Sequence, residues 1–381
     1  MLCTGVNDPH NEPGDHGSKT LRARSRTRAQ ALDRSNRLAP ASSCHLRAGR
    51  TEYKVYGREH SAMSVEGTKR KLEALLRPAP AGSPMLHRLV INADDFGLAK
   101  EVNEAVESAH RMGALTAASL MVSGAAAIDA IARARRLPEL NIGLHLTLLE
   151  GHAVLGQDHI PDLLAANGRL RTDQVRLAVE LVRSQDTRRQ LRAEIEAQFE
   201  SFVRTGLKLD HVNVHKHFHL HPVVLSDLLA IARQFGAPAV RIPVEPRKPI
   251  WEIDRTAPGL SGLALQAHAT FLRRIARRAG FLVPDAVFGL AWSGAFTRSR
   301  LSALLGRLPA GLVEIYLHPA SANTFAGCAM GYRYCDEFAA LTSADVVTRV
   351  GGFGTKVGGY ADVGHSASAI VPPVIACANA R

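Results

Sequence analysis

Cysteine is scarce in this chain, and its spacing offers no pairing motif. The cysteines are Cys3, Cys44, Cys328, Cys335 and Cys377. Because their number is odd and no Cys-x-x-Cys pair occurs, a disulfide framework and a zinc finger are not expected. Long apolar runs are also missing, since no stretch approaches the roughly 20 residues that span a bilayer and the N-terminus lacks the apolar core of a signal peptide. We therefore expect a cytoplasmic protein, with any contact at the inner membrane surface being peripheral.

The first 84 residues lack sustained apolar periodicity and are crowded with Arg, Ser, Gly and Pro. They carry 15 Lys and Arg against 8 Asp and Glu, and so supply +7 of the chain's formal charge of +12. We interpret residues 1–84 as a disordered basic tail, or as residues upstream of a native start at Met85. A basic tail can bind nucleic acid or anionic lipid, but charge alone is a weak signal, and no specific nucleic acid is expected. Residues 364–381 are interpreted as a flexible C-terminal tail.

Apolar runs alternate with helical periodicity across residues 85–363, which indicates one α/β domain with helices outside a parallel sheet or barrel. A helix is predicted over Lys100–Met112, and the segment from Glu150 to Lys208 is predicted to be mostly helical and to wall a cleft. Strands are predicted at Leu89–Asn92, Ala118–Val122, Asn141–Leu148, His211–Val214, Ala239–Pro243, Ala286–Leu290 and Leu312–His318. Seven parallel strands favour a distorted or incomplete (β/α) barrel over a doubly wound sheet.

Histidine is concentrated between Asp210 and Pro222. The run contains His211, His215, His217, His219 and His221, all at odd-numbered positions. Since strand side chains alternate between two faces, this pattern predicts a strand with imidazoles on one face. Buried imidazoles need partners for both ring nitrogens, and imidazole is a favoured ligand of zinc, iron, nickel and copper. A metal site is therefore favoured over a solvated face.

Two further apolar runs end in candidate ligands. Asp94 and Asp95 close the first run, and His145 lies near the end of another. The carboxyl ends of parallel strands share one rim of a barrel, so these side chains should meet the histidine run. Together they could form an open catalytic site of three protein ligands and a water. The structural alternatives are a helix cap for the aspartates and a hydrogen-bonded core position for His145.

These motifs carry a resemblance to a known family. Asn92–Gly97, Gly143–His145, His211–Pro222 and Tyr316–Ala320 occur in the order found in YdjC-like carbohydrate deacetylases. Asn213–Pro222, Phe288–Gly294 and Gly331–Tyr334 look, more narrowly, like the hopanoid-biosynthesis-associated (HpnK) branch of that family. The resemblance covers Leu86 to Val363. It implies hydrolysis of the N-acetyl group of an amino sugar, which in that branch is attached to a hopanoid lipid such as bacteriohopanetetrol.

The resemblance also implies roles for individual residues. The divalent metal of the family, Mg²⁺ or Zn²⁺, falls on Asp95, His145 and His215. The family's proposed base falls on Asp94, and His318 is placed as the general acid, with a buried capping histidine as its structural alternative. Adjacent strand residues face opposite sides unless the chain turns, so which aspartate binds metal and which abstracts a proton stays open.

Other side chains are expected around this site. Asn213, His217, His219, Arg241 and Trp292 are interpreted as residues that support the ligands or contact the substrate. Asn213 departs from much of the family, which often has Asp before the first histidine of the run. An amide can orient an imidazole ring, but it cannot balance the ring's charge.

Three functions are compatible with the sequence. The leading one is a metal-dependent hydrolase that removes the N-acetyl group from an N-acetylglucosaminyl lipid, with N-acetylglucosaminyl bacteriohopanetetrol as the expected substrate. A deacetylase of soluble chitooligosaccharides is the alternative enzyme. The alternative from another class is a non-catalytic metal-binding protein that uses its basic tail on nucleic acid. The expected partner is a glycolipid or amino sugar, and a homodimer is left open.

Overall fold

The computed structural model describes residues 88–255 and 260–364, which form a parallel sheet flanked by helices. The strands are β1 (Arg88–Phe96), β2 (Ala117–Leu120), β3 (Asn141–Leu146), β4 (Val212–Val214), β5 (Ala286–Phe288) and β6 (Leu312–Leu317). They pair in parallel in the order β4-β3-β2-β1-β6-β5. The predicted basic tail, residues 1–84, lies outside the described residues, as does the predicted C-terminal tail of residues 364–381 except for Gly364, which ends the last helix.

Helices follow most of the strands, as the alternating pattern predicts. They are α1 (Lys100–Met112), α2 (Ala127–Ala134), α3 (Gln174–Arg183), α4 (Gln185–Arg204), α5 (Pro222–Gln234), α6 (Arg247–Asp254), α7 (Leu260–Arg278), α8 (Arg298–Leu305), α9 (Tyr334–Thr342), α10 (Ala344–Gly351) and α11 (Tyr360–Gly364). Short 3₁₀ helices cover Pro161–Leu163, His215–Leu220 and Gly354–Lys356. Within the described ranges, no helix combines the length and apolar character needed to cross a membrane.

The core consists of strands that are buried on both faces and of helices that bury one stripe. Every residue of β6 is buried, as is all of β1 after its first residue, because helices cover the outer face of the curled sheet. On α1 the buried apolar residues are Val102, Ala105, Val106 and Ala109, which recur at the spacing of one helix face. The predicted helix over Lys100–Met112 is confirmed.

The predicted strand Ala239–Pro243 forms only isolated bridges. The backbone of residues 239–244 nevertheless joins both edges of the sheet. On the β4 side, Arg241 N donates to Val212 O at 2.9 Å, and on the other side Val287 N of β5 donates to Val244 O at 2.9 Å. Pro243 has no N–H to continue a ladder, which explains why this segment is irregular. The prediction of a distorted (β/α) barrel is confirmed, with six strands in place of seven.

The prediction of a strand that runs through the histidine cluster is wrong beyond Val214. Strand β4 ends there, and His215–Leu220 forms a 3₁₀ helix. Lys216 and His217 have φ angles of 54° and 53°, in the left-handed region that side chains other than glycine seldom adopt. The histidines therefore do not share one strand face.

The end of β1 contains the turn that brings two aspartates to one place. Asp95 itself has a φ of 64°, and Gly97 has a φ of 98°. Aspartate tolerates the left-handed region better than most residues. A Cβ on Gly97 would also lie 2.9 Å from Met121 O, so glycine is required there. Because the turn begins at Asp95, both Asp94 and Asp95 can reach the same rim of the barrel.

The contact between Gly143 and the buried His211 ring generates a stability prediction. A Cβ on Gly143 would lie 2.4 Å from ring atoms of His211. Gly143→Ala is therefore expected to lower the free energy of unfolding by about 1–3 kcal/mol, as overpacked cores do, measured by urea denaturation. Gly156→Ala is the control, because its Cβ would meet no atom within 4 Å. Equal denaturation midpoints for the two variants would contradict the packing described.

Candidate active site

Three metal-ligating side chains converge at the carboxyl ends of the strands. Asp95 and His145 are the penultimate residues of β1 and β3, and His215 directly follows β4. Asp95 Oδ1 lies 3.2 Å from His145 Nε2 and 3.1 Å from His215 Nδ1, and the two nitrogens are 3.3 Å apart. Asp95 and His145 are buried, and His215 is half-buried. They are the same three residues that the resemblance assigns to a metal.

The spacing of these donor atoms fits a divalent metal ion. Ligand atoms about 2.0–2.2 Å from one ion, at tetrahedral or octahedral angles, lie roughly 2.9–3.5 Å from each other. The three observed separations of 3.1 to 3.3 Å fall within this range. One carboxylate and two imidazoles form a donor set that suits zinc and related ions. The described residues therefore contain a candidate metal triad.

Asn213 on β4 orients the first histidine ligand. Its Oδ1 lies 2.6 Å from His145 Nδ1. An amide oxygen can only accept a hydrogen bond, so Nδ1 of His145 must carry the proton. His145 Nε2 then presents its lone pair toward Asp95 and His215. The amide thus performs the orienting role that the sequence leaves to this position.

Asp94 is held by a buried arginine and not by the histidines. Arg241 Nη1 donates to Asp94 Oδ2 at 2.6 Å, and Nη2 donates to Asp94 Oδ1 at 2.8 Å. Arg241 is fully buried and also donates from Nε to both carboxylate oxygens of Glu314 at 2.9 Å. Burial raises the pKa of the Asp94 carboxyl, but the charge of Arg241 and its hydrogen bonds lower that pKa more, to well below its ordinary value. Asp94 therefore stays ionised.

The metal triad lies among side chains that carry an excess of negative charge. Burial raises the pKa of Asp95, but the charges and hydrogen bonds of His215 and His145 lower it further, well below its ordinary value. Asp94 and Glu314 both pair with the one guanidinium of Arg241, and Asp95 adds a third buried carboxylate beside the two imidazoles. Once both imidazoles are neutral, as metal ligands must be, the three carboxylates and the one guanidinium leave two negative charges in excess. A divalent cation would balance them.

His318 follows β6, next to the carboxyl end of β1 in the sheet. Its ring lies edge-on to Tyr316 and Tyr332, with centroids 5.7 and 5.2 Å away. Its backbone N–H donates to Glu337 Oε2, and its ring Nδ1 lies 3.9 Å from the same oxygen. Burial raises the pKa of Glu337 above its ordinary value.

One cleft contains both the metal triad and His318. Its volume is about 720 Å³. The residues predicted to be catalytic or to bind metal all line it, namely Asp94, Asp95, His145, His215 and His318. A substrate in this cleft would therefore meet the metal triad and His318 at the same time.

The remaining predicted residues lie at different depths. His217 lines the cleft, with Nε2 3.0 Å from Tyr316 Oη. His219 is fully buried, and burial lowers its pKa to about 3, so its ring is neutral. Trp292 is also buried and lines a second cavity of about 410 Å³, where its Nε1 donates to Asp254 Oδ2 at 2.7 Å. His217 alone of these three faces the cleft described above.

Sequence reasoning missed several side chains that organise the site. Glu314 had a usable signal, because it is a carboxylate in the middle of the apolar run Leu312–Leu317, where a buried charge requires a partner. Ser119 on β2 gave no such signal, since a small hydroxyl in a strand is unremarkable. Tyr332 had been noted only as part of a motif, and its hydroxyl lies 2.7 Å from Ser293 Oγ in the cleft wall.

The metal triad predicts the effect of removing one ligand. His145→Ala and His215→Ala are each expected to lower zinc occupancy of the purified protein by at least tenfold, measured by elemental analysis after dialysis against buffered zinc. His159→Ala is the control, because His159 is exposed and is not part of the triad. Undiminished zinc in either triad variant would show that the ion binds elsewhere.

The chain is similar to a known protein family and to proteins described as deacetylases. Residues 88–350 match the family model described as YdjC-like protein. A chitooligosaccharide deacetylase of Klebsiella pneumoniae subsp. pneumoniae is 30% identical over 286 residues, which cover 72% of this chain and 98% of that protein. A carbohydrate deacetylase of Brevibacillus brevis is 38% identical over 156 residues, which cover 41% of this chain and only 59% of the relative.

The fold resembles that of a solved structure. It is described as a putative cellobiose-phosphate cleavage protein from Enterococcus faecalis V583. It is 22% identical to this chain with a TM-score of 0.57, and the match covers 73% of this chain and 99% of that protein. At this identity the likeness concerns the arrangement of strands and helices alone.

Proposed function

Since this chain belongs to the family of YdjC-like proteins, we propose that it is a metal-dependent carbohydrate N-deacetylase, which hydrolyses the N-acetyl group of an amino sugar. The observation that carries the proposal is the convergence of Asp95, His145 and His215 in one cleft with Asp94 and His318. The deacetylase names of the relatives from Klebsiella and Brevibacillus support the same reaction.

Asp95, His145 and His215 would hold the metal ion. When bound, a divalent ion supplies a Lewis acid that polarises the acetyl carbonyl and makes the attacking water more acidic. Two imidazoles among three ligands favour Zn²⁺ over Mg²⁺, which prefers oxygen ligands. Asp95 is given the ligand role because its Oδ1 lies within 3.2 Å of a nitrogen of both histidines. Its backbone at this position is left-handed.

Asp94 would accept the proton of the attacking water. It lines the cleft and is kept ionised by Arg241, so it is available as an acceptor at neutral pH. The same ion pair makes the Asp94 carboxylate a weak base, so proton transfer requires a water that is already acidified. Arg241 also fixes the orientation of the carboxylate through two parallel hydrogen bonds.

His318 would protonate the departing amine. It lines the same cleft as the triad, and its imidazole lies edge-on to Tyr316 and Tyr332. The carboxylate of Glu337, 3.9 Å from His318 Nδ1, would stabilise the imidazolium form. Deacetylation needs such a donor because, without a proton, the nitrogen would have to leave as a strongly basic anion, which is a poor leaving group.

For the substrate we propose an N-acetylglucosaminyl hopanoid, N-acetylglucosaminyl bacteriohopanetetrol. The support is that the two motifs resembling the hopanoid-associated branch face the cleft. Leu290 and Ser293 of the Phe288–Gly294 motif and Tyr332 of the Gly331–Tyr334 motif are among its lining residues. Side chains at this position could distinguish the group attached to the sugar.

A second candidate substrate is a soluble chitooligosaccharide. The Klebsiella relative that is described as a chitooligosaccharide deacetylase is matched over 98% of its length. The cleft also contains Tyr316, Tyr332 and Tyr334, and tyrosine rings can pack against the faces of sugar rings.

Mass spectrometry of the two substrates separates these proposals. We expect the full chain loaded with zinc to remove one acetyl group from N-acetylglucosaminyl bacteriohopanetetrol, and chelation followed by zinc restoration to abolish and restore the reaction. Turnover of diacetylchitobiose alone would favour the soluble substrate. Turnover of neither would contradict the deacetylase proposal and favour a binding protein.

The roles of Asp94 and His318 predict different responses to the leaving group. Asp94→Asn and His318→Gln should each lower amide hydrolysis by roughly 10²–10⁴-fold while retaining zinc. On p-nitrophenyl acetate, whose phenolate leaves without protonation, only Asp94→Asn should still show a large loss of rate, and His318→Gln should hydrolyse the ester nearly as fast as the unsubstituted chain. Each variant is the control for the other in parallel rate measurements. Equal loss of both variants on the ester would contradict the general-acid role of His318.

A further inference from the structure

A chain of buried polar groups leads from the metal triad to residues beyond the region matched by the family model, which ends at residue 350. Asp210 Oδ2 accepts the backbone N–H of Tyr360 at 3.1 Å, and Asp210 Oδ1 accepts that of Ala361 at 2.7 Å. His211 Nδ1 lies 2.9 Å from Asp210 Oδ2. His211 Nε2 in turn lies 2.9 Å from Ser119 Oγ on β2.

Ser119 is the point at which this chain meets the metal site. Its hydroxyl oxygen accepts hydrogen bonds from Asn92 Nδ2 at 2.9 Å and from Asn213 Nδ2 at 2.7 Å. Both acceptor positions of the hydroxyl are then used, so its single hydrogen must be donated to His211 Nε2. His211 consequently carries its proton on Nδ1 and donates it to Asp210.

These directions fix the amide of Asn213. With its Nδ2 donating to Ser119, and also to Asp94 Oδ1 at 3.2 Å, its Oδ1 faces His145 Nδ1 at 2.6 Å. An amide turned the other way would present N–H to that nitrogen. His145 would then need its proton on Nε2, which is the atom that faces the other two metal ligands.

We propose that Asp210, His211, Ser119 and Asn213 form a positioning relay that selects the metal-binding tautomer of His145. Ser119 is its central residue. The inference rests on the proposed metal site and adds to it a set of residues that touch neither metal nor substrate. All four side chains and His145 are at most 2% exposed, so water does not compete for their hydrogen bonds.

The relay explains two otherwise unconnected features. Gly143 on β3 leaves room for the His211 ring, which a Cβ would approach to 2.4 Å. The Asp210 carboxylate faces the first two backbone N–H groups of α11 together with an imidazole N–H. These hydrogen bonds connect α11, at the end of the described chain, to the relay.

Zinc affinity tests the relay without reference to turnover. The full chain and its variants would compete with a chromophoric chelator for zinc at constant pH, with thermal unfolding recorded to verify folding. We expect Ser119→Ala to weaken zinc binding by about 10- to 100-fold, the usual effect of losing a residue that orients a metal ligand. Asp210→Asn, which keeps the side-chain volume, should weaken binding in the same direction and decides the outcome if Ser119→Ala does not fold.

The control is Thr205→Val, which also removes a buried hydroxyl. Thr205 bonds Phe202 O and Leu207 N at the end of α4 and has no contact with the relay, so its zinc affinity should equal that of the unsubstituted chain. Affinities of folded Ser119→Ala and Asp210→Asn within twofold of the control would overturn the relay. Failure of the unsubstituted chain to bind zinc would instead overturn the metal site itself, so the two failures are distinguishable.

Discussion

The buried ion pair between Arg241 and the carboxylates of Asp94 and Glu314 is the interaction on which the rest of the site depends. Arg241 belongs to the irregular segment that joins the two edges of the sheet, Asp94 to β1 and Glu314 to β6. A guanidinium with no exposure can be accommodated only if its donors are satisfied, and removal of one partner of such a pair typically costs about 3–5 kcal/mol. The same contact therefore links the irregular segment to β1 and β6 and fixes the orientation of Asp94.

The ion pair also separates the roles of two adjacent aspartates. Asp94 is paired with Arg241, whereas Asp95 lies close to His145 and His215 and has a left-handed backbone. Because Glu314 shares the arginine, the cluster retains an excess of negative charge next to the two imidazoles. A buried excess of this kind is costly unless a cation balances it. The same group of charges thus links the irregular segment to the sheet, leaves a negative excess that a cation would balance, and orients the proposed base.

Much of the fold and the core of the site could be predicted from the sequence, because both depend on local patterns. Strand ends in a parallel barrel share a rim, so the aspartate pair, His145 and the histidine run could be expected to meet. The helix over Lys100–Met112 followed from its apolar stripe. The course of the chain after Val214 could not be predicted, since the left-handed Lys216 and His217 depend on tertiary contacts that alternation of residue types does not reveal. Ser119 and Glu314 matter only through partners distant in sequence.

The most direct test of the central claim is to locate the metal by anomalous X-ray diffraction from crystals grown with zinc. The account predicts one strong peak about 2 Å from Asp95 Oδ1, His145 Nε2 and His215 Nδ1, with Asp94 still paired to Arg241. A peak bound by Asp94 in place of Asp95, or zinc bound only outside this cleft, would contradict the assignment of ligand and base.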